Sequence, residues 1–294
     1  MKISLAIPHA SWVPARVESM ARLRSALGYC VPDGPAPDGW EGPIGQSVVY
    51  REFTDREPNI VWAVKLWSWL AETDADWCLQ LQDDVLVAPC FWPALRAALS
   101  ALPPEAEVIG LATVHPMAVG IARRGLRWFR TPGNLVGWSY ALRRTALVQF
   151  LADRAMLGAT FQAQNEDEQI GIWAARTKRT VWHPVPAITD HDVSIGSTYA
   201  NESHTLQRPQ VTWRTFAEVE MVDPKWWSPT GTPELLGYAA QRACWWCLER
   251  PVKFTSAASG AGICGVCIHT CIAAALGLGS APVTQVGTNE RVGA

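Results

Sequence analysis

Short apolar runs alternate with helically spaced apolar stripes along the first half of this chain, and that alternation leaves few architectures open. Lys2 to Pro8 reads as a buried strand, and Val13 to Leu27 as a helix with Val17, Met20, Leu23 and Leu27 on one face. Ser47 to Phe53 reads as a second strand. Asn59 to Glu72 reads as a helix capped by Asn59, with Val61, Val64, Leu66, Trp67 and Leu70 available for burial. A third strand, Trp77 to Leu81, precedes a helix over Phe91 to Leu102 and a further strand over Glu107 to Thr113. Pro32 to Pro43 is rich in Pro, Gly and Asp and reads as a surface loop. This order predicts a layered α/β domain with a largely parallel sheet, in which ligands bind at the C-terminal ends of the strands.

The 294 residues accommodate one such domain of about 200–250 residues with a small appendage. With 49% hydrophobic and 18% charged residues, a sizeable core is available. The net charge of -2 supplies no general attraction to nucleic acid or anionic lipid, so a nucleic-acid partner would have to be gripped by a local patch. The N-terminal apolar run is too short for a secretory signal, and no stretch of about 18 apolar residues could span a bilayer. These features predict a cytoplasmic protein without a membrane partner. In a reducing compartment, the eight cysteines would be metal ligands or core thiols.

Three segments carry candidate chemistry. Gln82-Asp83-Asp84 follows the apolar run Trp77 to Leu81 directly, and two carboxylates at a strand end suit a hard divalent cation such as Mg²⁺ or Mn²⁺. The competing reading is a turn in which Asp83 caps the backbone and Asp84 is solvated. Asn165-Glu166-Asp167-Glu168 opens a helix, where the dipole alone would favour acidic residues. Asp190-His191-Asp192 precedes the small residues Ser194, Gly196 and Ser197, and imidazole is an acceptable ligand for ions such as Mn²⁺.

Taken with Glu57-Pro58-Asn59, Phe91-Trp92-Pro93 and the run Gly133-Asn134-Leu135-Val136-Gly137-Trp138 to Arg144, these segments resemble the GT-A glycosyltransferases. The resemblance spans Met1 to Thr198 and implies a Rossmann-like mixed sheet flanked by helices, with activity toward a nucleotide-sugar donor. It implies that Asp84, last in a DxD-type motif, and His191 hold Mn²⁺ or Mg²⁺ against the donor diphosphate. Pro8, Gln82, Asp83, Trp138 and Ser194 fall at donor-binding positions. Gln82 stands where the motif usually has Asp or Glu, and Asp83 would assist with ribose or metal. In inverting members the acidic helix start supplies the base, which makes Asp167 the first choice and Glu166 the second. The implied chemistry is metal neutralisation of the departing diphosphate while a carboxylate deprotonates the acceptor hydroxyl. Inversion and retention both stay open.

Toward the C-terminus, Cys244-x-x-Cys247 and Cys264-x-x-Cys267 are separated by sixteen residues, the spacing of a four-thiolate structural Zn²⁺ site. His269 and Cys271 are alternative ligands, and Cys267 to Leu276 reads as a helix. Pro224 to Pro233, dense in Pro, Trp, Ser, Thr and Gly, reads as the seam between domains. The predicted organisation is a catalytic domain over 1–237, a zinc module over 238–280 and a tail over 281–294.

The acceptor is addressed by two basic-aromatic groupings. Arg123, Arg124, Arg127 and Arg130 have Trp128 and Phe129 among them, while Arg242, Arg250 and Lys253 surround Trp245 and Trp246. Such groupings suit unpaired or flipped bases, or else form a solvated loop with snorkelling side chains. The leading expectation is transfer to a hydroxymethylated or otherwise modified base in DNA, as in some bacteriophage glycosyltransferases, which would place the protein in a host cytoplasm. A surface-glycan or protein acceptor, and a binding module without chemistry, are the alternatives.

Overall fold

The first strand, β1 (Ile3–Pro8), is buried at every position, as an unbroken apolar run in a sheet covered on both faces requires. Pro14 opens α1 (Pro14–Ala26), at a helix position whose N–H would have no partner in any case. β2 (Val48–Phe53) and α2 (Asn59–Glu72) lead to β3 (Trp77–Leu81), again buried throughout. The chain continues through β4 (Val85–Val87), α3 (Phe91–Ala101), β5 (Val108–Gly110), α4 (Met117–Arg123), β6 (Trp128–Thr131) and β7 (Ser139–Arg143). Next come α5 (Arg144–Met156), α6 (Ala159–Gln162), α7 (Glu166–Arg176), β8 (Val181–Pro184), β9 (Thr189–His191) and β10 (Glu234–Leu235).

This computed structural model describes residues 1–28, 48–113, 117–157, 159–162, 165–192, 194–195, 211–214, 227, 233–235, 254–255 and 262–263. They belong to two compact units, Met1–Leu236 and Gly237–Ala294. In the second unit, β11 (Phe254–Thr255) pairs antiparallel with β12 (Gly262–Ile263). Cys244, Cys247, Cys264 and Cys267 lie outside the described residues, as do the predicted helix from Cys267 and the tail over 281–294. Among the described residues, no helix is long and apolar enough to cross a membrane.

Among the described residues, the first unit is built on an eight-stranded sheet in the order β10-β6-β8-β5-β7-β3-β1-β2. β1 runs parallel to β2 and β3, whereas β7 runs antiparallel to both β3 and β5. β8 is parallel to β5, and β6 is antiparallel to β8. The sheet is therefore mixed, which corrects the largely parallel arrangement predicted from alternation. Alternation marks where elements lie but not their direction. Here β6 intervenes after α4, and the chain re-enters between β5 and β3 reversed.

The apolar stripes of the helices cover this sheet. Ala63, Leu66, Trp67 and Leu70 are the buried residues of α2. Trp67 meets Phe150 of α5 edge-on at 5.0 Å, and Phe150 meets Trp173 of α7 at 5.5 Å. Side chains of this size each contribute roughly 2–3 kcal/mol by burial. In a second cluster, Met20 and Leu23 of α1 pack with Leu95 and Leu99 of α3, and Trp92 donates its indole N–H to the Leu27 carbonyl at 3.0 Å. The stripes are narrower than predicted, with Val17 45% and Val61 40% exposed. Asn59 is not the cap of α2 either, since Pro58 occupies that position and Asn59 is the first helical residue.

Candidate functional site

Parallel pairing of β1 with β3 sets Ala6 opposite Gln80, so the residues that leave β1 meet those that leave β3. Asp83 and Asp84 follow β3 and are both buried, at 3% and 0% exposure. The solvated turn considered for Asp84 is therefore not what forms. The Ala10 N–H donates to Asp83 Oδ2 at 2.8 Å. Arg16, in the first turn of α1, places Nη1 2.6 Å from Asp83 Oδ1 and 2.5 Å from Asp84 Oδ2. Burial pushes the Asp83 carboxyl up from its ordinary value, and the Arg16 charge opposes that shift.

On the far side of the turn, β4 and β9 form a small antiparallel ribbon that sets Val85 opposite His191. His191 Nε2 comes to 2.7 Å from Asp84 Oδ2, and the Asp192 N–H donates to the Asp84 carbonyl at 2.9 Å. Trp138 stacks on the His191 ring at 4.8 Å and 14°. The Trp138 carbonyl accepts the Gln82 N–H at 2.8 Å, so the aromatic residue is fixed to the acidic turn itself. Asp84 Oδ1 is buried without a hydrogen-bond partner.

The third wall is the start of α7. Asn165 and Glu168 form a reciprocal capping box there. A close approach of two glycines seats the helix, because a Cβ on Gly171 would lie 2.2 Å from the Gly133 carbonyl oxygen and one on Gly133 2.4 Å from that of Gly171. This contact brings Glu166 and Asp167 against Gly137. Glu166 Oε1 accepts from the side-chain amides of Gln80 at 3.2 Å and Gln82 at 3.1 Å. Gln80 is held in turn by the Tyr140 hydroxyl, which accepts from the Trp67 indole at 2.8 Å. Asp167 accepts the N–H groups of Gly137 at 3.1 Å and Glu168 at 3.0 Å. Burial, then repulsion from Asp167, pushes Glu166 up to about 8, while hydrogen bonds from Gln82, Gln80 and Asn59 oppose the shift. Burial also raises Asp167.

Thus Gln82, Asp83, Asp84, Trp138, Glu166, Asp167 and His191 converge at one end of the sheet. Pro8 ends β1 in register with Phe53. Ser194 is exposed and donates its N–H and hydroxyl to Asp192 at 3.2 and 2.5 Å. Arg123 and Arg124 are exposed, and Arg127 precedes β6, whose start adjoins the end of β8. That is the same end of the sheet as the acidic turn. Four strand spacings separate β6 from β3, roughly 19 Å, so these arginines do not join the convergence.

Two groups escaped the sequence reading. Arg16 is not among the candidates singled out above, although it stands four residues before Met20 and seven before Leu23, on the face of α1 that is buried. Beside it, Glu52 near the end of β2 receives a two-pronged bond from Arg24 at 2.7 and 2.6 Å and lies 3.7 Å from His9 Nδ1. Burial opposes ionisation of Glu52, but His9, Arg24 and Tyr50 hold it down at about 2. A cleft of about 330 Å³ continues along α1 past the ribbon, lined by Arg22, Leu23, β4, Asp192, Trp213 and Arg214.

The site's donor chemistry fits a hard divalent cation at Asp84 and His191. Asp84 offers a buried Oδ1 without a partner on the carboxylate whose Oδ2 meets the His191 imidazole, and such ions take few protein ligands when phosphate oxygens complete the shell. Among the described residues, no group of three His, Cys, Asp or Glu side chains is assembled.

No family model and no curated protein sequence matches the chain. Among solved structures, it is similar to A197 from STIV at 13% identity and a TM-score of 0.37, over 65% of this chain and 85% of that one. It is also similar to a glycosyltransferase involved in glycosylation of the major capsid of PBCV-1, at 12% identity and a TM-score of 0.35, over 58% and 74%. A third is glucosyl-3-phosphoglycerate synthase from Mycobacterium tuberculosis in complex with Mn²⁺, UDP-glucose and phosphoglyceric acid. It matches at 13% identity and a TM-score of 0.28, over 57% and 67%.

Proposed function

We propose that this protein is a GT-A-type glycosyltransferase that moves a sugar from a nucleoside-diphosphate donor to an acceptor hydroxyl. The observation that carries the reading is the meeting of Asp84 with His191, under Trp138 and next to Glu166 and Asp167. Two groups able to hold a cation and a carboxylate able to take a proton are needed together for this reaction, and they arrive from three separate stretches of chain.

Asp84 and His191 would hold Mn²⁺ or Mg²⁺, which when bound offsets the negative charge that builds up on the departing diphosphate. The protein's own residues do the rest. Stacking on Trp138 orients the His191 ring, and the Asp192–Asp84 backbone bond fixes the turn. Gln80 and Gln82 tie Glu166 to that turn and keep it from swinging into the site. Asp167, less buried than Glu166 and anchored by the Gly137 N–H, takes the acceptor proton as general base. Pro8, Gln82, Asp83, Trp138 and Ser194 remain the proposed donor contacts. Cys244, Cys247, Cys264 and Cys267 are proposed to hold a structural Zn²⁺.

For the acceptor, the proposal is a hydroxymethylated or otherwise modified base in DNA. It is supported by the exposure of Arg123 and Arg124, which precede β6 in the chain. The test is nucleoside mass spectrometry after incubating hydroxymethylated DNA with a panel of nucleotide sugars, alongside DNA binding at graded salt. A hexose or pentose adduct and binding that weakens steeply with salt are expected, the latter flattening in an Arg123→Ala/Arg124→Ala/Arg127→Ala variant. Donor hydrolysis without DNA binding at low salt would transfer the reading to a glycan or protein acceptor. Absence of donor hydrolysis under every condition would leave a binding module.

A further inference from the structure

Arg16 stands in an unfavourable place for a cation. It lies in the first turn of α1, at the positive end of the helix dipole, and that turn contains no acidic residue. Its side chain is 6% exposed. One nitrogen, Nη1, touches Asp83 Oδ1 at 2.6 Å and Asp84 Oδ2 at 2.5 Å. The guanidinium therefore supplies the turn with a positive charge from within the chain, on the same carboxylate that faces His191. Arg16 thereby offsets negative charge that the two carboxylates would otherwise present to an incoming cation.

We infer that Arg16, by bridging Asp83 and Asp84, makes entry of the divalent cation depend on the nucleoside diphosphate. The inference rests on the metal reading of Asp84 and His191. A divalent ion entering alone must share Asp84 with a buried guanidinium, and like charges at one carboxylate in a poorly solvated setting repel strongly. The diphosphate brings the missing negative charge and further oxygen ligands, so ion and nucleotide enter together. Arg16 is thus a positioning residue that protects the site from binding a free cation.

Equilibrium dialysis of the full-length protein against Mn²⁺ reads this directly, with and without UDP, GDP, CDP, TDP or ADP. The nucleotide is equal on both sides, so excess Mn²⁺ on the protein side is protein-bound, and Asp84→Asn corrects for other sites. At least one nucleotide should tighten Mn²⁺ binding tenfold or more in the wild-type protein. Arg16→Met, checked for folding by circular dichroism, should bind Mn²⁺ without nucleotide at least tenfold more tightly than wild type. Arg16→Lys, which keeps the charge, should stay near wild type. Wild-type binding that is tight and indifferent to nucleotide would overturn the role of Arg16 while leaving the metal reading standing. So would a folded Arg16→Met variant with unchanged nucleotide-free affinity. If Arg16→Met does not fold, Arg16→Gln, which keeps a polar donor without the charge, takes its place with the same expected and overturning results. No excess Mn²⁺ with any nucleotide overturns both.

Discussion

His191 Nε2 lies 2.7 Å from Asp84 Oδ2 although 107 positions separate the two residues. The β4–β9 ribbon and the Asp192–Asp84 backbone bond fix this approach independently of the side chains. Replacing Asp84 by Asn should therefore leave the ribbon and the fold intact. Donor turnover should fall by roughly 10²–10³ or more, the scale for losing one strong electrostatic contact to developing charge. Circular dichroism alongside donor hydrolysis checks both halves, and full activity in Asp84→Asn would remove this residue from the site.

Asp167 is tested by Asp167→Asn, which keeps one acceptor oxygen for either the Gly137 or the Glu168 N–H and removes the basic carboxylate. Transfer should drop by about 10²–10⁴. Donor affinity, measured by calorimetry, should change little. A large affinity loss with turnover unchanged would place Asp167 on the donor instead.

Glu166 gives a stability prediction with a definite sign. Its value in the fold, about 8, lies above the ordinary 4.5, so folding favours the neutral acid. The stability it contributes is present in full below about pH 4.5 and is lost as pH rises through about 8. Glu52 works in the opposite sense, since its contribution is present above 4.5 and is lost as pH falls toward 2. Urea unfolding at pH 5 to 9 should show wild-type stability falling with pH, by up to about 1.4 kcal/mol per unit from this one group. Glu166→Gln should flatten that slope. Equal slopes in the two proteins would mean Glu166 is ionised in the fold.

Gly171→Ala tests the seat of α7. The added methyl would sit 2.2 Å from a backbone oxygen of Gly133, which has no rotamer with which to yield. Overpacking of this kind costs about 1–3 kcal/mol, and the urea midpoint should fall accordingly. Transfer should fall as well, because the shift displaces the helix start that carries Glu166 and Asp167. An unchanged midpoint would show that the helix can move aside freely.

What the sequence determined by itself is local. Trp77, Leu79 and Leu81 alternate onto one apolar face, which marks a strand against the core whose following carboxylates emerge at its end, whereas burial of Gln80 on the other face depended on partners distant in the chain. Likewise Asn165 and Glu168 have the spacing of a capping box, which places Glu166 and Asp167 in a first helical turn before any packing is considered. Such features depend on neighbours within a few residues, and the chain states them directly. The tertiary structure alone decided the direction of β7, the pairing of Arg16 with the acidic turn and the use of Gln82 as a tether for Glu166 rather than a solvent-facing amide. Each of these depends on a partner distant in the chain, and a polar side chain's periodicity is the same whether it faces water or a buried carboxylate. Only packing removes the water, and the removal of water makes the charge of Arg16 and the proton of Glu166 matter to the site.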